Sequence, residues 1–190
     1  YQAAVFDMYP KFLKQSVVWP TIGNHDSAGS SGPVANLPYH QMFTLPTAGQ
    51  AGGLASGTED YYSFDHANIH FICLNSMTVS RDPAGPMLTW LRNDLASTAQ
   101  DWIIAFWHHP PYTKGVHDSD VDLESIQMRQ NALSVLESYG VDLVLTGHSH
   151  SYERSFLLDG HYGNSDTLTA AMKKHAGSAR VDATVAYTKA

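Results

Sequence analysis

The chain of 190 residues carries 11 His, as many as its 11 Lys and Arg together, beside 18 Asp and Glu and one Cys. Charged residues make up 15% of it, below the roughly 25% of an average soluble domain, while the hydrophobic share is an ordinary 43%. A disordered tail and a charged coiled coil are thereby excluded, and a net charge of -7 argues against a grip on a nucleic-acid polymer, which needs clustered cations.

The length suits one domain with a sizeable core. With Cys73 alone there is no intrachain disulfide and no thiolate zinc site. Its setting, Ile69-His70-Phe71-Ile72-Cys73-Leu74, reads as a buried strand. The longest apolar runs, such as 102–107, are far short of the about 20 residues a membrane helix needs, so no membrane partner is expected.

In chain order, residues 2–15 read as a helix that Pro10 kinks or restarts. Residues 16–22 read as a short strand running into Gly23-Asn24-His25-Asp26. Residues 27–58, rich in Gly, Ser, Ala and Pro, form a long excursion of the kind that is usually functional or mobile. Residues 61–65 and 68–75 predict a hairpin around Asp65-His66-Ala67-Asn68. Asp82-Pro83 predicts a helix start, with Leu88, Leu91 and Leu95 as its apolar stripe. Residues 101–107 predict a buried strand ending at His108-His109-Pro110-Pro111-Tyr112. Met128, Ala132, Val135, Leu136 and Tyr139 share a helix face, and Gly140 closes that helix. Residues 141–145 predict another buried strand, ending at Thr146-Gly147-His148-Ser149-His150. A further strand is expected over 152–158, and 159–190 reads as an insert or loop region.

Strands separated by amphipathic helices indicate an α/β layer fold with ligands at the strands' carboxyl ends. Three such ends carry His or Asn: Asn24-His25-Asp26, His108-His109 and His148-Ser149-His150. If the strands are neighbours pointing the same way, five His and an Asn converge on one rim. Neutral imidazole with amide oxygen suits zinc, manganese or iron. Gly23 and Gly147 are expected to let the backbone turn before each ligand, and an extended segment would put His148 and His150 on one face. Singly, each cluster is also an ordinary turn or strand end; the three together point to a metal site.

Gly23-Asn24-His25-Asp26, Ala105-Phe106-Trp107-His108 with Pro110-Pro111-Tyr112 behind it, and Gly147-His148-Ser149-His150 resemble three consecutive motifs of the calcineurin-like metallophosphoesterases, in their purple acid phosphatase branch. That family's series is DxG, GDxxY, GNH(D/E), VxxH and GHxH; the last three cover most of this chain, with Ala105 where Val is usual. The resemblance implies a layered αββα sandwich that hydrolyses small phosphate esters with two metal ions, iron paired with zinc, manganese or iron, in an extracellular or periplasmic setting. It implies that Asn24, His108 and His148 bind one metal and His150 the other. His25 would contact the phosphate, with Asp26 orienting its ring. His117, nine residues past His108, would be the general acid, with Asp118 beside it where the family has a second histidine.

The DxG and GDxxY blocks lie upstream of the region this chain covers, so residues 1–190 are expected to be a partial catalytic domain, truncated at both ends. Lacking the carboxylates of those blocks, the chain is expected to hold at most one metal tightly and to be weak or inactive alone. A phosphodiesterase of the same superfamily and a non-catalytic metal-binding fragment are the alternatives. An amidohydrolase or metallo-β-lactamase-like enzyme is disfavoured, since no His-Xaa-His-Xaa-Asp-His occurs. His40, His66, His70, His161 and His175 carry no motif and are expected to be structural or solvated, Trp19, Trp90, Trp102 and Trp107 to be core, and Asp118, Asp120, Asp122 and Glu124 to form a solvated acidic run. His109 carries no assigned role.

Overall fold

The computed structural model describes residues 1–27 and 36–176. Parts of the predicted excursion (28–35) and of the predicted insert (177–190) lie outside the described residues. The chain opens with a π-helical turn at Gln2–Phe6 and restarts as α1 (Pro10–Leu13) with proline at its first position, where the missing N–H costs nothing. The strand expected over 16–22 does not form. Pro20 has no N–H to give to a ladder, and the segment is held from the side instead. Thr21 Oγ1 donates to Leu74 O at 3.0 Å, and Pro20 O accepts from the hydroxyls of Tyr39 (2.9 Å) and Tyr62 (2.7 Å). Two short helices follow, α2 (Asn24–Ser27) and α3 (Pro38–Met42).

The central sheet has the order β1-β2-β3-β4. β1 (Tyr62–His66) and β2 (Ile69–Cys73) are the expected antiparallel hairpin. Only Ala67 and Asn68 are left as its loop, and Ala67 takes a φ of 52°, the left-handed value that tight hairpins favour. β3 (Trp102–Phe106) and β4 (Leu143–Leu145) add on in parallel, so β2, β3 and β4 all end at one edge.

Both crossovers are helical. α4 (Pro86–Ser97) starts at Gly85-Pro86 rather than at Asp82-Pro83. Asp82 instead closes a turn, its carbonyl taking the Gly85 N–H at 2.9 Å and its side chain the Ala84 N–H at 2.7 Å. The second crossover runs through α5 (Leu123–Gln127), a π-helical turn at Met128–Ala132, and α6 (Leu133–Ser138). Gly140, at φ 72°, ends it as expected.

One face of the sheet packs Ile72, Ile103 and Ala105 against Leu88, Leu91 and Leu95 of α4 and against Met128, Ala132 and Leu136. The other face gathers Tyr62, Phe64 and Cys73 with Ile22, Leu37 and Tyr39, so Cys73 is the core residue its setting predicted. The described residues thus supply one sheet layer and one helix layer of the mixed α/β architecture. β4 is the exception to the expected burial. It is an edge strand, and Leu143 and Leu145 are half exposed, as is Trp102 beside them. The strand expected over 152–158 shrinks to β5 (Leu157–Leu158), paired with β6 (Lys173–His175).

At the sheet end away from those carboxyl termini, His70 is buried between two carboxylates, Nδ1 2.7 Å from Asp65 and Nε2 2.8 Å from Asp94. Asp94 also accepts from Ser63 Oγ (2.8 Å) and the Leu54 N–H (2.7 Å), tying β1, β2 and α4 together. The structural role expected for His70 is the one it has. The acidic run is partly exposed, as expected, and is also paired: Asp118 and Asp120 hold Lys114, and Glu124 lies 3.8 Å from Arg81.

Candidate metal centre

Parallel strands bring His108, after β3, and His148, after β4, to the same edge, where the Gly147 N–H donates to His108 O at 3.0 Å. Asn24 reaches that edge because Thr21 is fastened to Leu74 just past the end of β2. The glycine between is required by space: a Cβ on Gly23 would lie 2.8 Å from both Cε1 and Nδ1 of His108. Neither motif glycine supplies the expected backbone freedom. The left-handed residue is His148 itself, at φ 64°, a conformation costing a non-glycine residue about 1–2 kcal/mol and held in place by what surrounds it.

Three lone-pair atoms converge here. His108 Nε2 lies 2.8 Å from Asn24 Oδ1 and 3.0 Å from His148 Nδ1. A proton on His108 Nε2 can satisfy one of those two acceptors well, not both, so the trio presents more acceptors than its own protons serve. Burial, and then the neighbouring His109 and His148, push the His108 imidazole down to about 4. His148 is lowered by burial and by His117. Neutral imidazoles with an amide oxygen are a cation-binding donor set without thiolate.

His109 is 4% exposed, and burial with His148 beside it pushes its ring down to about 4 as well. Its Nδ1 is 2.9 Å from Ser76 Oγ, which also accepts the His109 backbone N–H at 3.0 Å. The fully buried Ser76 hydroxyl therefore gives its own proton to Nδ1, leaving the His109 proton on Nε2. That makes His109 a donor beside the cluster rather than a ligand, although its ring nitrogen lies within 4.8 Å of those of His108 and His148.

His117 stacks on His148 with ring centroids 3.7 Å apart. Its carboxylate partner is Asp122, at 3.3 Å, and not the adjacent Asp118, which is engaged with Lys114. Asp26 accepts from the Gly23 N–H at 2.7 Å and from the Tyr1 hydroxyl, so it fastens the start of α2 where it was expected to orient the His25 ring. His25 is exposed. The segment from His148 to His150 is not extended: Ser149 is buried and His150 is exposed. Among the described residues His150 joins neither His108, His109 and His148 nor His117, Asp122 and His148, the two sets whose ligand atoms lie within 4.8 Å of one another. The structure thus gathers Asn24, His108, His109, His117 and His148, and leaves His25 and His150 on the rim.

The family profile of the calcineurin-like phosphoesterases matches residues 2–152. The chain belongs to the calcineurin-like phosphoesterases. Among curated proteins it is 32% identical over 135 residues to purple acid phosphatase 23 of Arabidopsis thaliana, covering 70% of this chain and 28% of that protein. It is 31% identical over 137 residues to purple acid phosphatase 15 of the same plant, covering 70% and 24%. An uncharacterized protein of Mycobacterium tuberculosis is 29% identical over 178 residues, covering 86% and 32%. The chain therefore spans about a third or less of the length of these relatives. A solved purple acid phosphatase from yellow lupin (Lupinus luteus) seeds superposes with a TM-score of 0.49 at 21% identity, over 65% of this chain and 21% of that one.

Membership of this phosphoesterase family implies metal ions. The donor set fits one: Asn24 Oδ1, His108 Nε2 and His148 Nδ1 meet at 2.8 and 3.0 Å, and neutral nitrogen and oxygen donors of this kind would hold a borderline divalent or trivalent ion. Among the described residues no helix is long and apolar enough to cross a membrane. Two residues of the site escaped the sequence reading. Ser76 follows a strand with no motif around it. Asp122 lies in an acidic run whose members only the fold tells apart, although its spacing of five from His117 puts it within reach.

Proposed function

We propose that this chain supplies the histidine-rich part of a two-metal centre that hydrolyses small phosphate esters, in the manner of an acid phosphatase. The observation carrying it is the meeting of Asn24 Oδ1, His108 Nε2 and His148 Nδ1 at 2.8 and 3.0 Å. These three would hold one metal ion. His150 would serve the second, whose remaining ligands would come from other parts of a longer protein. When bound, the ions supply positive charge for the phosphoryl oxygens and an activated water as nucleophile; iron with zinc, manganese or iron suits the nitrogen and oxygen donors.

The rest is the work of this chain's own residues. The amide oxygen of Asn24 and the two imidazoles stay uncharged and ready to ligate, because burial keeps protons off the rings. Asp26 holds the Gly23 N–H and so sets the angle at which α2 presents His25. On the rim, His25 donates a hydrogen bond to a phosphoryl oxygen. His117, stacked on His148 and faced by Asp122, carries the proton for the departing oxygen.

The chain by itself is expected to retain one equivalent of metal after dialysis and to turn over a chromogenic phosphate ester slowly. Joining it to an upstream segment containing GDxxY should raise both the metal content and the rate. Failure of the chain to retain any metal would overturn the reading of the site. Two tightly held metals with rapid turnover would overturn the division of the centre between this chain and the rest. Metal retained in the extended protein without turnover would favour a non-catalytic binding module.

A further inference from the structure

We propose that Glu153 is a positioning residue of this centre, stapling the loop after His108 to the loop that carries His148. The proposal rests on the metal-binding reading of Asn24, His108 and His148. Past the end of the sheet, the two loops share the Gly147 N–H to His108 O bond and then a side-chain network. Thr113 Oγ1 lies 2.7 Å from Ser149 Oγ and 2.5 Å from Glu153 Oε2. The threonine has one proton, and the carboxylate is the stronger acceptor. Ser149 is thus free to donate in turn into Thr113 Oγ1. Both hydroxyl residues are buried, at 5% and 3% exposure, so the carboxylate is the end on which their hydrogen bonding depends. The other Glu153 oxygen takes the Lys114 N–H at 3.1 Å, and Ser151 Oγ approaches Oε2 at 3.3 Å.

A second observation fixes how closely the loops meet. A Cβ on Gly115 would lie 2.4 Å from Ser149 Oγ and 2.6 Å from Ser151 Oγ. The Gly115 backbone therefore lies against the serine hydroxyls of the other loop, a contact next to His148 in the chain on one side and two residues before His117 on the other. His148 keeps its left-handed φ of 64° only while Ser149 is pinned next to it. His117 lies on a loop whose base is closed by Thr113 and Ser119, with Ser119 Oγ accepting the Thr113 N–H at 3.0 Å. Releasing Glu153 frees both anchors, and with them the 3.7 Å His117–His148 stack and the aim of His148 Nδ1.

The test compares the full chain with Glu153→Ala and Glu153→Gln, the glutamine keeping an acceptor for Thr113. Zinc affinity is measured by calorimetric titration, and the histidine ring signals of the zinc-free proteins by two-dimensional NMR. In Glu153→Ala, zinc should bind about tenfold or more weakly, as for other groups that orient metal ligands. The His117 and His148 ring signals should move as the stack opens. His70, clamped at the far end of the sheet, should not move. Glu153→Gln should recover most of both effects. His117 and His148 signals that stay in place in Glu153→Ala would overturn the proposal, as would a shift of His70 along with them, which would mark general loosening. If the unsubstituted chain binds no zinc, the function proposed above fails, while the ring signals still decide the role of Glu153.

Discussion

Replacing Gly23 by alanine should disable the metal site through a single methyl group. The new Cβ would meet His108 Cε1 and Nδ1 at 2.8 Å, against about 3.5–4.0 Å for comfortable contact between heavy atoms. The ring must therefore retreat by about 0.7 Å or more. Nε2, bonded to the Cε1 that the methyl group presses, lies 2.8 Å from Asn24 Oδ1 and 3.0 Å from His148 Nδ1, so any retreat of the ring displaces a ligand atom. Metal–ligand distances tolerate only about 0.2 Å, and the shift exceeds that more than threefold. Gly23 does not have a left-handed φ, so backbone strain adds nothing and the damage is steric. Zinc affinity measured by titration should fall at least about tenfold, and overpacking should cost about 1–3 kcal/mol in a denaturant melt. Gly147→Ala is the matched control, because its Cβ would meet His108 Nδ1 at an ordinary 3.7 Å and should leave zinc binding intact. A Gly23→Ala protein that binds zinc as the original does would refute the reasoning.

Three further outcomes follow from the same geometry. Asp94→Asn removes the charge from the fully buried partner of His70 and should cost about 3 kcal/mol of stability in a urea melt, with zinc affinity unchanged; equal loss of both would contradict the separation of the two ends of the sheet. Zinc retention should stay flat as pH falls through 6.5, because burial and neighbouring rings push His108 down to about 4 and lower His148 as well; a midpoint at the ordinary imidazole value would show the rings to be water-exposed. Ser76→Ala leaves the buried His109 N–H and Nδ1 without their partner and should cost about 1–3 kcal/mol, read in the same melt.

The site was legible because three motifs of residue type and spacing follow apolar runs; parallel pairing of β3 and β4 brings His108 and His148 together, and the Thr21–Leu74 hydrogen bond, not a strand, brings Asn24 to them. The hairpin was legible from its two apolar runs and short turn. Other elements were not, for physical reasons that spacing does not carry. Pro20 denies residues 16–22 a ladder and leaves them outside the sheet. Asp82 spends its carboxylate and carbonyl on a turn, so the same Asx-Pro signal that starts helices elsewhere delays this one to Gly85-Pro86. His148 and His150 look like alternate residues of a strand, yet the left-handed turn at His148 separates them. The partner of His117 is chosen by the fold of its loop: sequence adjacency favours Asp118, and Lys114 takes that carboxylate away.

The placement of histidines at opposite ends of one sheet gives the fold two opposed responses to acid. Burial alone would lower His70, but its hydrogen bonds to Asp94 and Asp65, and their charge, raise it above 6.5. Its stabilising contribution is therefore complete below 6.5 and drains away as pH climbs through the raised value. His108 and His109, lowered to about 4, work the other way. Between 6.5 and about 4 the unfolded rings take up protons that the folded rings refuse, so stability falls as the solution is acidified. The share of folding stability carried by His70, His108 and His109 is thus a dome whose summit lies near 6.5, with its alkaline slope set by the clamp and its acid slope by the site.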